Sequence, residues 1–448
     1  MDFNAFKNAV IEECAALGIE EYELYYSAGE STSVDTFLHA INEFTASRDG
    51  GVCFRCIVNG KMGYASTEDL SAEQAKAVVL SAVDNASVLE SEEQVFLGEG
   101  GQEYEPLQLK EAAVTPTEQL ISVALQTQEK LYKAHEAIID GCQTNTLTQR
   151  SELAIYNSKG LDLHYENTLS GIVAVAVVSN GKEMSNDFQI KLGNLDEIDT
   201  DELTKKAADE AVLKMGGDVA PTGNYPVVFS PGAMASLLGV YSSIFSSEAA
   251  QKGLSKLAGH EGEVIAAPCV TIVDDPFHKD NPMPMNFDAE GSPTHCKNVV
   301  ENGVFQTLLY NLKTAAVAGK KTTGNASKAG YDASIAVRPF TMYMAGGEKS
   351  EEEIFAEAGE GVYITDLNGL HAGANAISGD FSLQSAGFMI RAGKKAEYVK
   401  SFTVAGNFYD LLKNVRCVAS NVKLPRAMGI TAFGSPSVLV DGLSIAGK

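Results

Sequence analysis

Apolar positions recur at helical spacing from Phe3 to Leu17, where Phe3, Phe6, Val10, Ile11 and Cys14 share one face and Gly18 supplies the stop. Glu21 to Phe37 instead alternates, which predicts a strand. Further strands are predicted at Phe44 to Ser47, Gly51 to Val58 and Lys61 to Ala65, with Asn59-Gly60 as a hairpin turn. Thr67-Glu-Asp-Leu70 opens a predicted helix that runs to Val88. The Glu- and Gly-rich stretch Ser91 to Pro106 has little periodicity and reads as a linker. The pattern then recurs. A helix is predicted from Thr115 to Glu136, strands at Ile138 to Leu147, Glu152 to Asn157, Leu163 to Val178 and Phe188 to Leu192, and a helix from Asp201 to Met215.

From Tyr225 the chain reads as strand, turn, helix. Val227, Val228 and Phe229 form a short apolar run, Pro231-Gly232 breaks it, and Ser230 is placed to cap the predicted helix. Met234, Leu237, Leu238, Tyr241, Ile244 and Phe245 then give one apolar stripe. The remainder is mostly strand: Val270 to Val273, Gly303 to Leu309, Ser334 to Arg338, Gly361 to Asp366, Asp380 to Ala392, Glu397 to Ala405 and Pro436 to Val440. Hairpin signals stand at Asn302-Gly303 and Ala392-Gly393. The expected fold class is α+β: two helix–strands–helix units followed by a mainly antiparallel β domain. The boundaries are residues 1–90 for the first unit, 91–114 for the linker, 115–218 for the second unit and 219–448 for the β-rich domain.

Composition narrows the function. The 448 residues carry 34 basic and 59 acidic side chains, a formal charge of −25. Such a chain repels phosphate backbones and anionic lipid, so neither nucleic acid nor membrane is an expected partner. No basic n-region and apolar h-region follow Met1, and the longest apolar run, Ile172 to Val178, is far too short to span a bilayer. Seven scattered cysteines fit reduced thiols, and the expected location is cytoplasmic.

Local metal and nucleophile signals are thin. Cys53 and Cys56 lie three apart on a predicted strand, where they point to opposite faces, so core packing is the expected role. His295 and Cys296 are adjacent and diverge if extended. His278 near Asp274 and Asp275 reads as a polar loop. There is no Gly-x-Ser-x-Gly and no Gly-x-x-x-x-Gly-Lys-Ser/Thr phosphate loop.

The strand–Pro-Gly–helix at residues 225–247 resembles that of the TldD/PmbA family, also called the TldD/TldE or modulator of DNA gyrase family. Phe287-Asp-Ala-Glu-Gly-Ser-Pro-Thr294 is similar to the family's Asp-x-Glu-Gly-x-Pro-Thr segment. Lys321 to Ala326, Ser378 to Phe388 and Phe402 to Asn407 resemble segments of its PmbA (TldE) branch. The resemblance is weaker in the N-terminal half, where Arg48-Asp-Gly-Gly-Val52 carries it. In peptidase-type members the helix bears His-Glu-x-x-x-His, two zinc ligands and a general base. Matched on the Pro-Gly turn, those positions fall here on Gly239, Val240 and Ile244, and no histidine lies between His164 and His260 to restore the motif. The third family ligand, a cysteine, is expected around Leu424 to Gly429. That stretch has none, and Cys417 comes too early.

The resemblance implies no catalytic and no metal-binding residue in this chain, and zinc only in a partner subunit. It implies a PmbA/TldE-like subunit of a metalloprotease complex that cleaves or matures unfolded or modified peptides. The partner would be a TldD-like paralogue bearing His-Glu-x-x-x-His, or a second copy of this chain. Asp288, Glu290, Asn325, Asp380 and Asn407 lie in the family-like segments and are candidate cavity or peptide contacts; they equally suit turn capping. Two alternatives stand beside this reading: an independent metallopeptidase using other ligands such as Cys417, and a non-catalytic, self-associating peptide-binding protein.

Overall fold

The computed structural model describes residues 1–90, 93–109, 113–424 and 431–448. The N-terminal half is α1 (Phe3–Leu17), β1 (Glu21–Phe37), β2 (Ala40–Val58), β3 (Lys61–Thr67) and α2 (Ala72–Val88), then α3 (Thr117–Lys133), β4 (Gln143–Asn157), β5 (Asp162–Ser179), β6 (Met184–Leu192) and α4 (Thr200–Leu213). Each unit is a helix, three strands and a helix. The two units are not separate sheets: their strands form one six-stranded antiparallel sheet in the order β3-β2-β1-β4-β5-β6, joined along β1 and β4.

Alternation along β1 sorts its side chains. Tyr22, Leu24 and Val34 face the helices, packing with Phe6 and Val79 at one end and with Leu120 and Leu203 at the other. Tyr25 faces the opposite way, against Met285, Phe287 and Phe340 of the C-terminal half. The sheet is therefore a two-sided wall, helices on one face and the C-terminal domain on the other. Asn59-Gly60 forms the expected hairpin, both residues at positive φ. On β3, a Cβ on Gly63 would stand 1.8 Å from the Ala82 carbonyl, so only glycine lets α2 lie this close.

Several expected boundaries move. β2 is one continuous strand through Arg48-Asp49-Gly50, and β4 runs unbroken through Gln149-Arg150, where breaks were expected. Ile138 contributes only an isolated bridge to Val178. Helix α2 begins at Ala72, not Thr67, because Ser71 rather than Thr67 accepts the capping N–H.

The C-terminal half begins with β7 (Asp218–Val219), β8 (Gly223–Phe229) and α5 (Pro231–Tyr241). A 3-10 turn (Ser242–Phe245) and α6 (Ser247–Gln251) follow. Next come β9 (Ile272–Asp274), β10 (Lys297–Glu301), β11 (Val304–Phe305), α7 (Leu312–Ala318), β12 (Ala326–Ser327), β13 (Ala336–Val337), β14 (Thr341–Met344) and α8 (Glu351–Ala358). The chain ends with β15 (Gly361–Asn368), α9 (Leu370–Gly373), β16 (Asp380–Arg391), β17 (Lys394–Asn407), α10 (Phe408–Lys413), β18 (Val415–Val418), β19 (Ala432–Gly434) and β20 (Val438–Ala446). β7, β10, β12, β14, β18 and β19 were not expected from the pattern. One sheet runs β18-β20-β8-β15-β16-β17-β7, and β20 also pairs with β17, closing a ring of five strands. The second runs β11-β10-β9-β14-β19. Most neighbours are antiparallel; β8–β15, β7–β17 and β14–β19 are parallel. No helix among the described residues is long and apolar enough to cross a membrane.

Candidate functional site

Helix α5 lies between the two C-terminal sheets. Met234, Leu237, Leu238 and Tyr241 share one core with Phe402 and Val404 of the first sheet and with Ile272, Val300 and Met342 of the second. Pro231, Ala233 and Ala235 are buried as well, so apolar residues cover more of the helix than the single stripe its spacing suggested. Ser230 caps it by accepting the Ala233 N–H at 3.2 Å, and Pro231 occupies the first turn, where its missing N–H costs nothing. At its far end Tyr241 stacks on Phe408 with ring centroids 4.4 Å apart and donates its hydroxyl to the Asp380 carbonyl at 2.8 Å.

The regular helix stops at Tyr241. On one continuous α-helix, positions five apart diverge by about 140°. Here Gly239 and Ile244 belong to different elements. Gly239 and Val240 line a cleft of about 470 Å³ with Ser243, Arg338 and Phe433. Ile244 is 1% exposed and packs into the core. The three positions that the resemblance aligned with zinc chemistry are thus split between a cleft wall and the interior. Zinc takes three or four N, S or O donors. Gly239, Val240 and Ile244 offer none, so this helix does not fit the metal. Pro425 to Gly429, in the stretch expected to hold the third ligand, lies outside the described residues. Cys417 packs with Val228, whereas Val227 and Phe229 on the other face of β8 pack with α5. Burial pushes the Cys417 thiol up to about 11. Among the described residues, no group of three or more His, Cys, Asp or Glu side chains is arranged to hold a metal ion.

Asp288 is 1% exposed and organises a loop. One carboxylate oxygen accepts the Glu290 and Ser292 N–H groups at 2.9 Å, the other the Ala326 N–H at 2.9 Å. Asn325, fully buried, donates to Asp274 at 2.8 Å and to the Arg338 carbonyl at 3.0 Å. Asp274 in turn accepts the Phe340 and Thr341 N–H groups and pairs with Lys297 at 3.2 Å. Asn407 caps α10 and donates to Asp380 at 2.8 Å, clamping the Gly379 turn. The structure thus uses Asp288, Asn325, Asp380 and Asn407 to hold backbone and one another.

Glu290 is placed differently. It is 4% exposed, and one oxygen accepts the Leu312 N–H at 2.8 Å. Burial, and then the Asp288 carboxylate, push it up to about 8. It lines a second cleft, of about 540 Å³, together with Arg55, Lys61, Asn311 and Lys313. Arg55 is buried and pairs with Glu23 at 2.6 Å directly across the β1–β2 ladder. Sequence reading passed over this pair. The signal was present: Arg55 interrupts the apolar Val52 to Val58 run, and a hairpin register sets it opposite Glu23. Cys53 and Cys56 do face opposite sides of β2. His278 takes the Asp280 N–H at 3.2 Å and meets Tyr343 edge-on; burial lowers its pKa.

Three family models match the chain: PmbA/TldA metallopeptidase domain 1 over residues 22–86, the central domain over 110–215 and the C-terminal domain over 222–447. A protein of Thermotoga maritima MSB8, described as a modulator of a DNA gyrase, superposes with a TM-score of 0.89 at 30% identity, covering 99% of this chain and 100% of that one. TldE from Thermococcus kodakarensis shares the fold, with a TM-score of 0.84 at 24% identity and coverage of 99% and 100%. A metalloprotease of Methanothermobacter thermautotrophicus is 29% identical over 403 residues, 86% of this chain and 84% of that protein. The chain belongs to the PmbA/TldD family of metallopeptidases.

Proposed function

We propose that this chain is a PmbA/TldE-type subunit of a metalloprotease complex that cleaves or matures unfolded or modified peptides, with the zinc carried by a TldD-like paralogue bearing His-Glu-x-x-x-His. The observation that carries this reading is the end of α5. The helix, its cap and its packing between two sheets are intact, yet Gly239, Val240 and Ile244 supply no donor to a metal. A peptidase that had merely moved one ligand would keep the others. The likeness in fold to TldE points the same way. In this role the chain holds peptide and closes the reaction space, while the bond is broken on its partner; a second copy of this chain is the other candidate occupant of that partner position. The test combines the purified chain, a cognate motif-bearing paralogue and an unfolded peptide. Cleavage is expected only when both proteins are present, with stoichiometric zinc in the paralogue alone. Chelator-sensitive cleavage by the single chain, or one tightly held zinc per chain, refutes the proposal.

A further inference from the structure

The second cleft contains two polar ends that the fold leaves unspent. Arg55 Nε donates to Glu23 at 2.8 Å, and Nη2 lies 2.6 Å from the same carboxylate as an ion pair, buried and without a hydrogen bond; Nη1 makes no hydrogen bond among the described residues and is not sealed from the cleft. Glu290 commits Oε2 to the Leu312 N–H; its Oε1 takes no partner among the described residues and is likewise reachable. A carboxyl group on a residue only 4% exposed, with one oxygen idle, is costly unless something fills the place. Lys61 and Lys313 stand at the rim, and Leu89, Phe96 and Ile335 give the cleft apolar wall. Its volume suits a small organic ligand or a peptide end.

We infer that this cleft binds a free carboxylate, that of a peptide C-terminus, on Arg55 Nη1 and the Glu290 carboxyl, with the terminal side chain against Phe96 and Ile335. The peptide identity rests on the proposed function; the carboxylate preference rests on the cleft alone. The donor set selects this chemistry. With its pKa pushed up to about 8, Glu290 is protonated at neutral pH and offers an O–H beside Arg55; at the rim Lys313 pairs with Glu93, Lys61 donates to the Leu89 carbonyl, and Asp332 lies across the cleft. The walls of the two clefts are also contiguous. Asp332 to Ile335 line this one, and Ala336 to Pro339 line the one at Gly239 and Val240.

The charged and titratable groups around Glu290 are Asp288 on its own loop, Glu23 and Arg55 on β1 and β2, Tyr64 and Lys61 on β3, and Glu93, Lys313 and Asp332 across the cleft. Of these, Glu290 is the group pushed to about 8, so binding is expected to weaken as pH rises through that value and the ionised carboxylate meets a second one. The experiment is calorimetric titration of the whole chain with acetyl-Ala-Ala-Phe, its C-terminal amide, and succinate. At about pH 6.5 the acid is expected to bind at least about ten-fold more tightly than the amide, and at about pH 9 that preference disappears. Glu290→Gln keeps a donor, so it retains the preference at both pH values; Glu290→Leu loses it at both. Circular dichroism establishes that each variant is folded. Equal affinity for acid and amide, no binding of either, or a pH dependence that survives in Glu290→Gln overturns the inference. Succinate binding as tightly as the peptide overturns the peptide as its source. All of this is read on the single chain without a protease partner, so failure here leaves the subunit proposal standing, and failure of the cleavage test leaves this result intact.

Discussion

Rebuilding the family motif with Gly239→His, Val240→Glu and Ile244→His should damage the fold without creating a peptidase. The damage comes from one position. Ile244 is 1% exposed in the main C-terminal core, and removing a fully buried isoleucine forfeits roughly 1.5–3 kcal/mol of transfer free energy. An imidazole left there without a partner costs roughly 1–3 kcal/mol more. Together these reach about 2.5–6 kcal/mol, which in a domain of this size lowers Tm by roughly 5–24 °C. Gly239 is milder: a Cβ there stands 3.2 Å from the Phe433 ring, which must give by a few tenths of an ångström. Val240 already faces the cleft. The Gly239→His/Val240→Glu double variant should therefore melt near the parent, and Ile244→His alone should account for nearly all the loss. Zinc should not restore Tm in the triple variant, because the imidazole introduced in place of Ile244 points into the core while the one in place of Gly239 points into the cleft. Thermal unfolding with and without zinc, with elemental analysis of the purified variants, reads both effects. A triple variant that melts with the parent and holds one zinc per chain would show that residue 244 can turn into the cleft, and the reasoning from burial would fail.

Three other outcomes rest on buried charge. Asp274→Ala strands Lys297 and the Phe340 and Thr341 N–H groups, and is expected to cost about 3–5 kcal/mol in denaturant unfolding; an unchanged midpoint refutes it. Converting Asp274 and Lys297 together to apolar residues should recover part of that loss. Glu290→Gln should be about as stable as the parent below the unfolded carboxyl value of 4.5. Between there and about 8 the native parent binds more protons than its unfolded chain, so parental stability falls with pH and the variant's advantage grows, then levels off. An advantage that does not change with pH contradicts this assignment.

Where side chains obey one period, the sequence was readable. Helix α1, strand β1 and the Asn59-Gly60, Asn302-Gly303 and Ala392-Gly393 hairpins stand where the pattern put them. The splits expected in β2 and β4 fell on Arg48-Asp-Gly and Gln149-Arg. There the strands lie side by side with exposed ion pairs, Arg48 with Glu30 and Arg150 with Glu166, and no apolar alternation marks them. The short strands β10 and β14 were missed because they hold only four or five residues, fewer than a period needs to show itself. Of the candidate site, the donor-poor end of α5 was legible through the resemblance alone. The Arg55–Glu290 cleft was not, because its walls come from β2, β3 and loops more than two hundred residues later, which only the fold brings together.

The seam between β1 and β4 also sets a clock for synthesis. Glu23 and Asn157, neighbours across that ladder, are 134 residues apart in the chain. At about 5–20 residues per second, the ribosome leaves one edge of β1 open for roughly 7–27 s before its second neighbour exists. The first unit must therefore wait as a three-stranded sheet with a seventeen-residue edge unpaired, a template for any other emerging strand. The run Gly29-Glu-Ser-Thr-Ser33 along that edge is polar, which discourages a mistaken partner while the nascent chain is still short of its own.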